Sequence, residues 1–204
     1  SYKLGPVHQG VVERGSKTAS DSYILWPARI GAFSVVVGRH YGHPDTCDFP
    51  FSYLTEHNGE TVLTPGNNLR KIGLIRDAEK WPRRDRRKSP KRLDLINFQL
   101  LTPYTIQKVL KGHQLLTEHK VTGGAKTDYL ACTGARITSS SINNGIRLYG
   151  MAIDQSLGDC LVKRLENKQF ESPNKLKSIL SPEGNTGMGK WVDLAGLFAP
   201  EEAI

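Results

Sequence analysis

The sequence predicts a mixed β and α chain made of the end of a parallel β-helix, then a β-hairpin region, then an α-helical cap. A six-residue apolar period near the N-terminus is typical of a β-helix. Its five consecutive hexads open on Val12, Thr18, Ile24, Ile30 and Val36. An Asn-Gly turn signal follows at Asn58-Gly59. From about residue 94 the apolar period changes from two to 3.6.

Residues 1–41 are predicted to form the terminal coils of that β-helix. The hexads VERGSK and IGAFSV fit the repeat in full and share one register. Three hexads close one coil, and about three or more repeats are needed to bury a solenoid core. We therefore expect the chain to be a segment of a longer protein. The alternative is an ordinary β-rich edge with two short strands around a turn at Pro27.

Residues 42–93 are predicted to form a β-hairpin and a basic loop. The segments FSYLTE and ETVLTP flank His57-Asn58-Gly59, and Asn-Gly accepts the positive φ angles of a tight hairpin turn. We therefore expect these two segments to pair. The segment RKIGLI is predicted to be a further short strand.

Residues 94–204 are predicted to form the helical cap. Thr102 is a helix N-cap residue type, and proline suits the first helical position. The predicted helices run from Pro103 to Gly123-Gly124, from about Asn143 to about Lys168, and from Pro173 to about Leu180. Their apolar faces would shield the open edge of the β-helix.

Composition excludes several classes of protein. The chain has 204 residues, 38% of them hydrophobic, and no apolar run approaches the roughly 20 residues that span a bilayer. We therefore expect no membrane partner. Cys47, Cys132 and Cys160 are odd in number and form no CxxC pair, so neither a disulfide framework nor a zinc site is indicated. A reducing cytoplasm is the expected compartment.

The net charge of +8 is concentrated in one stretch between Lys80 and Arg92. Such a block favours an anionic small molecule such as a phosphorylated sugar, a nucleotide or coenzyme A. A solvated loop is the alternative interpretation. Nucleic acid is the less expected partner, because Trp81 is the one aromatic residue in the block. In the functional interpretation, Trp81 would stack on a base or sugar ring. The residues that would bind phosphate are Arg76, Arg83, Arg84, Arg86, Arg87 and Lys88.

The segment RHYGHPDT holds the candidate catalytic residues. His40 or His43 could serve as a general base, and Asp45 could hold the imidazole in the required tautomer. The alternative is a structural or surface histidine in a turn. Cys47 and Asp48, which follow closely, are also possible metal ligands. The residues of this segment do not repeat the spacing of a metal-binding pair, so we predict no metal site.

Several longer segments resemble a known family. They are WPARIGAFSVVVGRHYGHPDT, FPFSYL, TPGNNL, IGLIRDAEKWPRRDRR, LLTPYTIQK and GKWVDLAGLFAP. Together they resemble an uncharacterised bacterial family of hexapeptide-repeat proteins, a domain of unknown function in Bacteroidetes. The resemblance implies that the β-helix is left-handed and related to acyltransferases and sugar nucleotidyltransferases. It implies no substrate and no catalytic residue.

These observations predict a transferase module that moves an acyl or nucleotidyl group to a sugar or sugar nucleotide. The cofactor is not specified, although acyl-coenzyme A and nucleotide sugars fit the prediction. A non-catalytic capping or oligomerisation domain is the first alternative, and nucleic-acid binding is the second. We expect a homo-oligomer, with a trimer favoured.

Overall fold

A computed structural model describes residues 9–91, 97–122, 129–130, 133–185, 187–194 and 196–204. The strands are β1 Val11–Val12, β2 Lys17–Thr18, β3 Tyr23–Ile24, β4 Arg29–Ile30, β5 Val35–Val37, β6 Arg39–His40, β7 Tyr53–His57, β8 Glu60–Thr64, β9 Tyr129–Leu130, β10 Ala135–Arg136, β11 Trp191–Leu194 and β12 Leu197–Pro200. The helices are α1 Ile72–Arg84, α2 Pro103–Thr122, α3 Ser139–Leu165 and α4 Pro173–Leu180.

The first six strands are very short and pair with one another in parallel. β1 pairs with β4, β2 with β5 and β3 with β6. Residues with positive φ, Gly15, Asp21, Phe33 and Gly38, lie in the turns between them. Those turns limit each strand to two or three residues, so the parallel ladders carry few hydrogen bonds.

The predicted left-handed parallel β-helix is wrong. The structure has mixed α/β architecture, with several small sheets and four helices among the described residues. The longest sheet has the order β2-β5-β7-β8-β10-β9 and combines parallel with antiparallel pairs. The physical reason is that the chain turns back after β7 as a hairpin and does not continue in parallel coils. Helices α2 and α3 then cover the apolar surface that further coils would have covered.

The β7–β8 hairpin is confirmed. His57 pairs with Glu60 across a two-residue turn, in which Asn58 and Gly59 have φ values of 52° and 81°. Both central residues of this tight turn therefore have the left-handed conformation that Asn-Gly favours.

The predicted helices α2, α3 and α4 are confirmed, although α3 begins earlier than expected. Thr138 caps α3, because its side chain accepts a hydrogen bond from Ser141 N. Ser172 caps α4 in the same way through Lys175 N.

The segment RKIGLI is not a strand: most of it belongs to α1. The helix is amphipathic, since Leu74 is buried and Trp81, two turns later, packs against the core.

The core lies where the large sheet, α2 and α3 meet. Phe33, Phe49 and Phe51 are fully buried there, as is Tyr149. The Tyr149 hydroxyl donates a hydrogen bond to Pro50 O at 2.8 Å. A Cβ atom on Gly112 of α2 would lie 2.4 Å from Asp48 O and 2.9 Å from Tyr149 Cε2. The absence of a side chain at Gly112 therefore allows α2 to approach the core closely.

Candidate functional site

His40 lies on β6 with its side chain in the protein interior. Its Nδ1 is 2.9 Å from Thr61 Oγ1, while its Nε2 is buried and has no hydrogen-bond partner among the described residues. Burial lowers the pKa of His40, an effect that the Val37 carbonyl and the Glu56 charge oppose. The geometry therefore favours a neutral imidazole sealed from solvent, which a substrate hydroxyl cannot reach without a local opening.

His43 and Asp45 contact other partners. The exposed His43 has its Nδ1 3.2 Å from Leu25 O. Asp45 forms an ion pair with Arg29 at 3.1 Å and accepts a hydrogen bond from Cys47 N. Within the described ranges, no hydrogen bond joins His40, His43 and Asp45 to one another. The structure therefore does not assemble them as a base and its orienting carboxylate, and their catalytic role stays a prediction.

Trp81 faces inward from α1. Its ring stacks against Phe33 with a centroid distance of 6.2 Å and an interplanar angle of 22°. Since Phe33 is fully buried, this contact anchors α1 to the core. The face of Trp81 that meets Phe33 is therefore not free to stack on a ligand.

The predicted phosphate-binding residues lie on the surface of α1 and the segment after it. Arg76, Arg83 and Arg84 belong to α1 and are exposed, and so are Arg86 and Lys88 in the following segment. Arg87 differs, because it is half-buried and binds Asp85 through Nε at 2.8 Å and Nη2 at 2.5 Å.

Two acidic residues in this region form ion pairs with basic side chains. Asp77 binds Lys17 and lies 3.8 Å from Arg76, and Asp85 is held by Arg87. Among the described residues, Arg83, Arg84, Arg86 and Lys88 form no ion pair with a side chain. These four cations are therefore available to an external anion.

The stretch from Arg70 to Arg92 carries the whole net charge of the chain. It contains 11 of the 28 Lys and Arg residues and three acidic residues, so its charge is +8, equal to that of the full sequence. The rest of the chain is balanced. We call residues 70–92 the basic stretch; the structure describes it as far as Lys91.

A buried polar cluster that the sequence did not reveal lies between α2 and the N-terminal strands. Lys108 Nζ is 3.1 Å from Glu13 Oε1 and donates a hydrogen bond to Cys47 O at 3.1 Å. Burial, and then the Glu13 charge, raises the pKa of Cys47 to about 12. Burial also raises the pKa of Tyr104, which again neighbours Glu13. The cluster holds one compensated ion pair and two neutral acids, which suits a structural role.

The C-terminal hairpin β11–β12 closes over this region. Trp191 N donates to Gln107 Oε1 at 2.9 Å, and Gln107 Nε2 donates back to Trp191 O. Arg14 lies 4.1 Å from the centre of the Phe198 ring, and its Nη1 is 3.8 Å from Asp193 Oδ2. The partners in these contacts are 84 or more positions apart in sequence, so no local spacing could have indicated them.

Two further observations concern metal binding and membrane crossing. No group of three or more His, Cys, Asp or Glu side chains that could hold a metal ion occurs within the described part of the chain. In that same part, no helix combines the length and apolar character that crossing a membrane requires.

Comparison with known proteins identifies a family. A family model described as a domain of unknown function (DUF4954) matches residues 1–120, more than half of the chain. No curated protein and no solved structure matches. The matched residues include the N-terminal strands, the β7–β8 hairpin, the basic stretch and most of α2.

Proposed function

The chain belongs to the family described as a domain of unknown function (DUF4954), and we propose that it binds nucleic acid through the phosphate backbone. The observation that carries the proposal is the basic stretch, which holds the full +8 net charge and presents exposed arginines on α1 and beyond. Nucleic-acid binding was the second alternative from the sequence, and the anionic small molecule expected there stays a prediction.

The spacing of the cations supports a polymeric anion. Arg76 and Arg83 are seven residues apart on α1, which places them about 10 Å apart along the helix axis at about 1.5 Å per residue. At that separation the two guanidinium groups can each contact a different phosphate. A nucleic-acid backbone repeats its charge along its length and can meet each cation separately.

The position of Trp81 supports backbone contact without base readout. Proteins that bind single strands usually stack bases on aromatic side chains, but Trp81 packs against Phe33. Backbone contacts position a protein on nucleic acid and carry little sequence information. We therefore expect binding that is independent of sequence and strongly dependent on salt.

The proposal is tested by fluorescence anisotropy with a mixed-sequence duplex DNA at several salt concentrations. The variant combines Arg83→Ala, Arg84→Ala and Arg86→Ala. We expect its salt slope to fall by about 0.9 for each phosphate that the variant can no longer neutralise, with weaker binding at every salt concentration. The corresponding Arg→Lys variant keeps the charge and should keep most of the affinity.

The matched control removes three charges elsewhere, through Lys111→Ala, Lys120→Ala and Lys175→Ala. These lysines are exposed on α2 and α4, so the control should bind DNA much more tightly than the arginine variant. Equal weakening in both would show that net charge alone attracts DNA. That result, or no binding by the wild type at low salt, would overturn the proposal.

We also propose a reducing compartment, the cytoplasm, for this chain. The supporting observation is that Cys160 is an exposed free thiol and Cys47 a buried one, whereas oxidising compartments favour paired cysteines. Mass spectrometry of the protein alkylated directly in cells tests this. Oxidised Cys160 in the native host would contradict it. The expected homo-oligomer stays a prediction.

A further inference from the structure

A groove on the side of the molecule formed by α1, α2 and α3 lies outside the function proposed above. Its volume is about 660 Å³, within the roughly 300–1,000 Å³ of small-molecule sites. Residues of α1 and of the C-terminal half of α3 line the groove. The segment 99–103 and the first turn of α2 complete its lining.

Most of the groove surface is apolar. The side chains that form it include Leu74, Ile75, Leu100, Leu101, Ile106 and Val162. Apolar surface in contact with water is unfavourable, and a ligand gains free energy by covering it. This surface therefore favours a ligand with a hydrocarbon portion.

The charges around the groove favour an anionic head group. Lys163 lines it and forms no ion pair within the described part of the chain. Helix α1 belongs to the basic stretch, whose net charge of +8 favours an anion on that side of the groove. Asp159 also lines the groove, one turn before Lys163 on α3, so its charge offsets part of the attraction of Lys163 for an anion. The remaining attraction comes from α1, and the head group should therefore lie between Lys163 and α1.

We propose that this groove binds a fatty carboxylate, with the hydrocarbon chain against the apolar side chains and the carboxylate at Lys163. The groove supplies apolar area, an ammonium group and a neighbouring basic helix, which together match an apolar chain that ends in a single negative charge. A neutral alcohol of the same chain length cannot form the ionic contact with Lys163. An amine is repelled by the Lys163 ammonium group.

The reactivity of Cys160 can measure whether the groove is occupied. Cys160 lines it and has an exposed free thiol, whereas Cys47 is buried. A bound chain covers Cys160, so its reaction with a disulfide reagent should slow. Peptide mass spectrometry measures the label at Cys160 separately from the other cysteines.

The experiment titrates the full chain with octanoate, decanoate and dodecanoate below their micelle concentrations and follows the labelling rate of Cys160. Each pair of added CH₂ groups should tighten binding about 15-fold if both are buried in the groove. Decanol and decylamine should protect Cys160 less than decanoate does. Lys163→Gln should weaken decanoate about two- to fivefold, while Lys168→Gln, an exposed lysine outside the groove, should not.

Three results would overturn the proposal. One is no protection of Cys160 by any carboxylate. Another is equal or tighter binding of decylamine. The third is binding to anionic lipid vesicles without binding to monomeric decanoate, which would identify a membrane surface as the ligand. DNA binding by the basic stretch is measured separately, so failure of either proposal is distinguishable from failure of the other.

Discussion

Replacing Gly112 by alanine should destabilise the protein, although alanine is the better helix former. In α2 the added Cβ would lie 2.4 Å from Asp48 O and 2.9 Å from Tyr149 Cε2. The first of these is a backbone atom, so α2 or the segment before β7 must move. Overpacking of this kind costs about 1–3 kcal/mol, and contact with backbone favours the upper end of that range. Helix propensity returns about 1 kcal/mol.

The expected net loss for Gly112→Ala is therefore about 2 kcal/mol, a fall in Tm of about 4–8 °C for a chain of this size. The matched control is Gly150→Ala in α3, where the new Cβ meets nothing within 4 Å. It should stabilise the protein by about 0.5–1 kcal/mol. Urea unfolding followed by far-UV circular dichroism measures both. The reasoning is refuted if Gly112→Ala is as stable as the wild type with an unchanged m value.

Two further predictions concern His40 and the C-terminal hairpin. Burial lowers the pKa of His40. Below about pH 6.5 the unfolded chain therefore binds a proton that the folded chain does not bind, and the stability of the folded state should fall as the pH decreases. An NMR titration should give an apparent pKa below that value, and a value at or above it would contradict the burial argument. Gln107→Ala removes both hydrogen bonds to the Trp191 backbone and should speed proteolysis after Lys190 about fivefold or more. Gln114→Ala, an exposed change on the same helix, should leave the cleavage rate unchanged.

The elements that the sequence predicted well are those with local chemical signals. Asn58 and Gly59 impose their turn through backbone sterics, and Ser172 before Pro173 determines where α4 begins. None of these effects depends on distant residues. Prediction from the sequence was therefore reliable at turns and helix starts.

The errors arose where distant contacts decide the structure. The hexads predicted a continuing β-helix, but the β7–β8 hairpin turns the chain back and α2 covers the core. Helix α1 was missed because its inward residues, Leu74 and Trp81, are set among charged residues and precede Pro82.

The same limit applies to the candidate site. The composition reveals the basic stretch, and most of its predicted phosphate-binding residues are exposed in the structure. The inward direction of Trp81 depends on Phe33, which lies 48 positions earlier. The burial of His40 depends on Thr61 of β8. Residue type indicated which chemistry each side chain could perform, but packing against other elements decided which of them solvent can reach.

The concentration of all the net charge in residues 70–92 also affects how the molecule meets a partner. Because the rest of the chain is balanced, the long-range field arises mainly from one region of the surface. An approaching polyanion would turn the protein toward it before contact, over distances of about one Debye length, roughly 8 Å at physiological salt. The encounter rate, and not the lifetime of the complex alone, should then respond to ionic strength, and the basic stretch would make the first contact in most productive collisions.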